Sequence, residues 1–176
     1  MTAVPTYTEA LPLAVRARNI RRHALRMGQV QGQGYVGQAL GAADLLAVAY
    51  FHALRLDPGN PEWEQRDRFY LSIGHYAIAL YAALIEAGVI PEDELETYGS
   101  DDSRLPMSGM AAYTPGMEIT GGSLGHGLGI AVGACRRATN ARGRTAGCTT
   151  CCPMESSTRA RPGRPPCRPA IGAWTT

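Results

Sequence analysis

The sequence predicts an α/β layer fold. A short run of β-formers, Arg68-Phe-Tyr-Leu-Ser-Ile73, ends in Gly74-His75 and is followed by an apolar helical stretch. A second glycine-rich turn, Gly121-Gly-Ser-Leu-Gly-His-Gly-Leu-Gly129, opens another helix. Strand, glycine turn and apolar helix in that order build open layered sheets, which take their ligands at the carboxyl ends of the strands. The chain has 176 residues, 45% hydrophobic and 18% charged, enough for one domain of ordinary size.

The elements follow in order. Over residues 13–29, Val15, Ile20, Ala24, Leu25 and Met27 interleave with Arg16, Arg18, Arg21, Arg22 and Arg26, the pattern of an amphipathic helix with a basic face. Gly28 is expected to end it. The turn Gln29-Val-Gln-Gly-Gln-Gly-Tyr-Val-Gly37 leads to a second helix over 40–53, stopped near Asp57-Pro58-Gly59-Asn60-Pro61. A strand over 68–73 precedes a helix over 76–87. Pro91 with Glu92, Asp93 and Glu94 behind it marks a short further helix, acidic at the positive end of its dipole. Leu105-Pro-Met-Ser108 and Tyr113-Thr-Pro-Gly116 read as loops, residues 117–120 as a short strand, and the glycine run opens a helix that continues through Arg137.

Composition divides the chain in two. Residues 1–140 carry eleven Arg against fourteen acidic residues, and the last 36 carry six Arg against one Glu. The overall +2 therefore comes wholly from the tail and leaves no nucleic-acid footprint on the organised part. All five cysteines lie at or beyond Cys135, and the tail adds Pro153, Pro162, Pro165, Pro166 and Pro169 without periodic hydrophobicity. Cys148-Thr-Thr-Cys151 has the spacing of half a zinc knuckle or a thiol redox pair, but no second pair or suitable His follows. The expected organisation is a domain over 1–138 and a disordered Arg/Pro/Cys-rich tail over 139–176. Lys is absent, and seventeen positive charges all written as Arg point to a GC-rich coding bias. The longest apolar run, 39–56, is interrupted by Asp44, His52 and Arg55, and the N-terminus lacks the order of a secretory leader. A cytoplasmic, non-membrane protein is expected.

Two places carry chemistry. The glycines at 121, 122, 125, 127 and 129 let backbone approach a ligand with no Cβ in the way, and the helix behind them presents free N–H groups. Close helix packing through small residues is the plainer explanation of the same run. Their spacing does not match the G-x-G-x-x-G of a dinucleotide site, which disfavours a nicotinamide cofactor. His75 stands at the strand end, where side chains meet ligands in open sheets, although a lone His there is more often structural. His23 and His52 fall within the first two helices as structural residues. His126, inside the glycine run, has little local packing and is expected to face a pocket or a partner.

Three motifs together carry a resemblance: Leu40-Gly-Ala-Ala-Asp44, the run from Pro58 to His75, and Thr114-Pro-Gly-Met-Glu-Ile-Thr-Gly-Gly-Ser-Leu-Gly-His-Gly127. In order and spacing they resemble the N-terminal half of transketolases, over roughly residues 13–138. The resemblance implies a partial three-layer fold, a parallel sheet between helical layers, that holds thiamine diphosphate with Mg²⁺ or Ca²⁺. It implies transfer of a two-carbon ketol unit between sugar phosphates, a small carbonyl or sugar phosphate substrate, and a site completed by a homodimer partner or a separate C-terminal subunit. His75 matches the histidine beside the diphosphate and thiazolium, where a donor offsets anionic charge. Gly122, Ser123 and Leu124 match the family's Gly-Pro-Leu segment on the aminopyrimidine, with Ser123 in place of Pro and His126 in place of Gln. Tyr35 and Ser108 stand where the family has two substrate-binding histidines. These departures imply a divergent branch with another carbonyl substrate.

The family's metal turn, of Gly-Asp-Gly-Glu type, is absent. A hard divalent cation needs oxygen ligands, and at that place the chain reads Cys151-Cys-Pro-Met-Glu-Ser156, with no Asp beyond Asp102. No metal ligand is assigned. Codons for Cys152-Pro-Met-Glu-Ser-Ser157, written GC-rich and read two bases later, spell Ser-Asp-Gly-Glu-Leu. That implies a frameshift between about Cys135 and Gly147, and a truncated chain that is inactive alone. Two other readings stand beside it: a non-catalytic nucleotide- or anion-binding module, and a pseudogene product.

Overall fold

The computed structural model describes residues 11–64, 66–142 and 148–151. The chain folds as an α/β structure in the order α1 (Leu13–Gln31), α2 (Val36–Val48), β1 (Arg68–Leu71), α3 (Ala77–Glu86), α4 (His126–Arg142) and β2 (Cys148–Cys151). A π-helical turn at Ala49–Ala53 extends α2, and 3-10 turns occupy Gly74–Tyr76 and Glu92–Thr97.

The core is built on α3. Every residue from Ala77 to Ile85 is buried, so this helix is apolar all round rather than striped, as a helix enclosed by others must be. Helix α1 lays Ala17, Ile20, Ala24 and Met27 into the same core at three- and four-residue spacing. Helix α2 adds Ala39, Ala43, Leu46 and Ala47, and β1 adds Phe69 and Leu71. Ser72, just after β1, meets Gly127 at the start of α4, so α4 approaches the strand end from the side that alternates away from Phe69 and Leu71. Strand β2 pairs with β1 in parallel, Arg68 opposite Cys148 and Leu71 opposite Cys151.

Several boundaries differ from those expected. Helix α1 runs through Gly28 and stops at Gly32, whose φ of 71° makes the left-handed cap. Gly28 instead serves a close approach, since a Cβ there would lie 2.5 Å from Val36 Cγ2. Helix α2 begins at Val36, ahead of the expected start at Leu40. Residues 117–120 are not a strand: the segment is irregular, because Glu118 is drawn into ion pairs with Arg66 and Arg68 instead of a ladder. Within the stretch expected to form the tail, residues 139–142 complete α4, and Cys148–Cys151, with two β-branched Thr, lies along β1. Most of the place expected for the metal turn, 152–156, lies outside the described residues, as does the remaining tail.

Candidate functional site

The site is organised by three glycines. After β1 the chain passes an extended Ile73 and turns at Gly74, bringing His75 to the strand end. The Gly109 N–H donates to Gly74 O at 2.9 Å, and the Gly121 N–H donates to Gly109 O at 3.0 Å. Gly74 and Gly121 touch backbone to backbone: a Cβ on Gly74 would lie 2.7 Å from Gly121 Cα, and one on Gly121 would overlap Gly74 Cα. Segments far apart in sequence thus meet at one point, which only glycine permits. Ser108 and Gly122 flank this seam and both are exposed.

Ion pairs hold the glycine run from behind. Glu118 accepts from Arg66, in a pair in which both side chains are 7% exposed, and from Arg68 Nη1 at 2.7 Å. Arg66 Nε also donates to Pro61 O. Since Arg66 and Arg68 lead into β1 while Glu118 stands just before Gly121, this network ties the run to the strand it packs on. Thr120 Oγ1 accepts from the Ala111 N–H at 3.1 Å, joining the 108–111 loop to the same segment.

Around His75 the neighbours are aromatic. Its ring lies 4.7 Å from that of Tyr35, centroid to centroid, and 4.8 Å from that of Tyr76, edge-on at 89°. Tyr35 and Tyr76 are themselves 6.3 Å apart. Two glycines deliver Tyr35: Gly32 ends α1, and Gly34, at φ 140°, seats the turn on Ile78 and Tyr98. His75 is half-buried and Tyr35 47% exposed, so the group opens to solvent on the Tyr35 side.

Of the residues singled out by sequence, Tyr35 and His75 are in ring contact, and Ser108 and Gly122 adjoin the glycine seam. Ser123 is exposed, Leu124 half-buried, and His126 exposed at the first position of α4, its N–H reaching Ser123 O at 3.4 Å. His23 is structural as expected, 3.3 Å from Glu86, which Arg16 and Asn19 also hold. The structure adds residues that sequence reasoning missed. Tyr76 carried no signal beyond adjacency to His75. Ser72, 2% exposed, has a hydroxyl with no hydrogen-bond partner among the described residues, enclosed against Gly127. Gly109 is a single glycine outside any run, and its hydrogen bonds to Gly74 and Gly121 give it its place.

A diphosphate coenzyme fits part of this arrangement. The strand end offers an imidazole, and Gly122 has nothing within 4 Å of where a Cβ would stand, leaving its backbone open to a flat ring. Among the described residues no three His, Cys, Asp or Glu side chains are grouped to hold a metal ion, and most of the place expected for the metal turn lies outside them. Among those residues, too, no helix is long and apolar enough to cross a membrane.

Comparison with known proteins gives the family. Residues 14–148 match the family described as transketolase, thiamine diphosphate binding domain. The chain is 83% identical over 123 residues to the uncharacterized transketolase family protein y4mO of Sinorhizobium fredii, a match covering 70% of this chain and 44% of that protein. It is 39% identical over 125 residues to the 6-deoxy-6-sulfo-D-fructose transketolase subunit SqwG of a Clostridium species, covering 71% of this chain and 46% of that one. Among solved structures, the transketolase of Campylobacter jejuni superposes with a TM-score of 0.76 at 30% identity, over 87% of this chain and 25% of its own. The matched part spans under half the length of these relatives. With the family match over residues 14–148 and these likenesses in sequence and fold, the chain belongs to the transketolase thiamine diphosphate-binding domain family.

Proposed function

We propose that the chain is the opening part of a thiamine diphosphate-dependent, transketolase-type subunit, in which the coenzyme's diphosphate lies at the carboxyl end of β1 beside His75. The observation that carries this is the Gly74–Gly109–Gly121 seam. It brings the strand end, the loop after Ser108 and the exposed backbone of Gly122 and Ser123 to one place. Thiamine diphosphate, when bound, supplies the nucleophilic carbon for moving a two-carbon ketol unit. His75 contributes a hydrogen-bond donor for anionic oxygen, Gly122 to Leu124 a backbone shelf, and Tyr35 and Ser108 the substrate side. The intact domain completes a three-layer parallel sheet on the β1–β2 pair, in a cytoplasmic protein. The substrate is a small carbonyl compound or sugar phosphate. A second chain completes the site; the relative named as a transketolase subunit supports a separate C-terminal partner over a homodimer.

The oxygen ligands for Mg²⁺ or Ca²⁺ belong to the frame that the tail no longer reads. The family match ends at residue 148, inside the stretch where composition changes. This reading makes the chain as written inactive by itself. Resequencing the DNA for residues 135–147 tests the frameshift, and an uninterrupted frame encoding the present tail overturns it. Calorimetry with thiamine diphosphate and Mg²⁺ tests the site. The chain with its frame restored binds, and the present chain binds weakly or not at all. Absence of binding by the restored chain sinks the proposal. The anion-binding alternative accounts for neither the seam nor the matches and is not favoured.

A further inference from the structure

The glycine run touches the strand end at two points. Its first residue, Gly121, lies on Gly74, and Gly127 lies on Ser72, where a Cβ would come within 2.5 Å of both Ser72 Cβ and Ser72 Oγ. Between these two feet run Gly122 to His126, which include the exposed Gly122 and Ser123 and the first residue of α4. Against the second foot is the Ser72 hydroxyl, 2% exposed as a residue and without a hydrogen-bond partner among the described residues. Buried hydroxyls are nearly always bonded, so this one calls for a partner. Donors stand beside it. The second and third residues of α4, Gly127 and Leu128, have N–H groups with no acceptor inside the helix, and a side-chain oxygen on the residue before the helix ordinarily serves them. That residue is Gly125, which has no side chain. The His126 N–H turns back to Ser123 O at 3.4 Å.

We propose that Ser72 is a positioning residue whose hydroxyl accepts from the Gly127 or Leu128 N–H when a flat coenzyme ring lies on the Gly122 to Leu124 backbone. The cap that Gly125 cannot give is then given by the strand. Ser72 and His75 stand three residues apart at one strand end, so a bond from Ser72 to α4 fixes the shelf relative to the imidazole. The bond is open in the free chain and closes with the ring in place. A conformation favoured by both the ring and the cap is populated more when either is present, so the hydroxyl strengthens binding without touching the coenzyme. Glycine at 127 keeps the helix backbone within reach of the hydroxyl, since a Cβ there would collide with the serine.

The proposal rests on the coenzyme reading above, and the chain with its frame restored is the protein that tests it. Calorimetry with thiamine diphosphate and Mg²⁺ compares the parent with Ser72→Ala, and amide hydrogen exchange by NMR follows Gly127 and Leu128 with and without the coenzyme. Ser72→Ala should bind about fivefold more weakly, the size of one helix-cap hydrogen bond, while the coenzyme-free variant melts at the same or a higher temperature. In the parent the coenzyme should slow exchange at Gly127 or Leu128 by about fivefold, and Ser72→Ala should abolish that slowing. A merely structural loss would instead speed exchange throughout α4. Equal binding by parent and variant, or exchange slowed alike in both, overturns the proposal and leaves the coenzyme reading standing. A lower melting temperature for the free variant also overturns it, because the hydroxyl would then be bonded already, to water or to the chain beyond the described residues. No binding by the parent sinks the coenzyme reading, and this role for Ser72 with it.

Discussion

Four glycines and one serine separate packing from function at the level of single residues. Gly121 and Gly122 are adjacent, yet a methyl group on the first overlaps Gly74 while one on the second meets open space. Gly121→Ala is expected to cost about 2–4 kcal/mol, because two backbones cannot move apart without breaking the Gly109 bonds. Gly122→Ala is expected to leave stability unchanged or raise it by about 0.4–1 kcal/mol through the unfolded state. Urea unfolding of the two variants checks the contrast, and equal losses would show the seam to be loose. Ser72→Ala is expected to be neutral or stabilising by about 1 kcal/mol, since it removes a buried hydroxyl that satisfies nothing. A clear loss in the same assay would reveal a bond that Ser72 makes in solution. His75 and the 121–129 run are legible in the sequence because strand ends and glycine clusters are local patterns. Gly109 is not, nor is the pairing of Gly74 with Gly121, since their meaning lies in contacts between segments far apart along the chain.

Elements are legible in type and less so in their ends. Apolar spacing predicts the helix at 13–29, but Gly28, the stop it suggests, has a bare Cα that serves the approach of Val36, and the helix ends at Gly32. Glycine composition is the same in both roles, and only the sign of φ or a facing side chain distinguishes them. The strand expected over 117–120 fails for an electrostatic reason. Met117 and Ile119 suit a strand, but Glu118 between them is claimed by Arg66 and Arg68 and bends the segment to β1's leading end. That tether should be the most costly polar interaction to break. Glu118→Gln leaves the Arg66 guanidinium buried beside a neutral partner, and a loss of about 3–5 kcal/mol is expected. Replacing Arg68, 42% exposed at its side chain, should cost under about 1 kcal/mol. Thermal unfolding of the two variants gives the comparison, and similar losses for both would show that burial of the Arg66 pair does not set the cost.

The whole molecule hangs on α3, and its stability should carry the signature of the tyrosines gathered there. Tyr81 is fully buried, donates to Pro106 O at 3.0 Å and meets Tyr98 edge-on at 6.3 Å. Burial pushes the Tyr81 phenol from its ordinary 10.0 up to about 12, and burial raises Tyr98 as well. The folded chain therefore holds these protons more tightly than the unfolded chain does. The stability this contributes is fully present below about pH 10 and is lost as pH rises from about 10 to about 12. For Tyr81 alone the loss is on the order of 2–3 kcal/mol, at ~1.4 kcal/mol for each pH unit between the unfolded and folded pKa. Tyr81→Phe should lower stability near pH 8 by about 1 kcal/mol, through the hydrogen bond removed from Pro106, and then decline less steeply above pH 10. Urea midpoints between about pH 8 and 11.5 test both parts, with absorbance at 295 nm reporting when the phenols ionise. A parent chain whose midpoint stays level across that range would mean that the phenols ionise in place, and that water enters the core around α3 despite the close packing of its side chains.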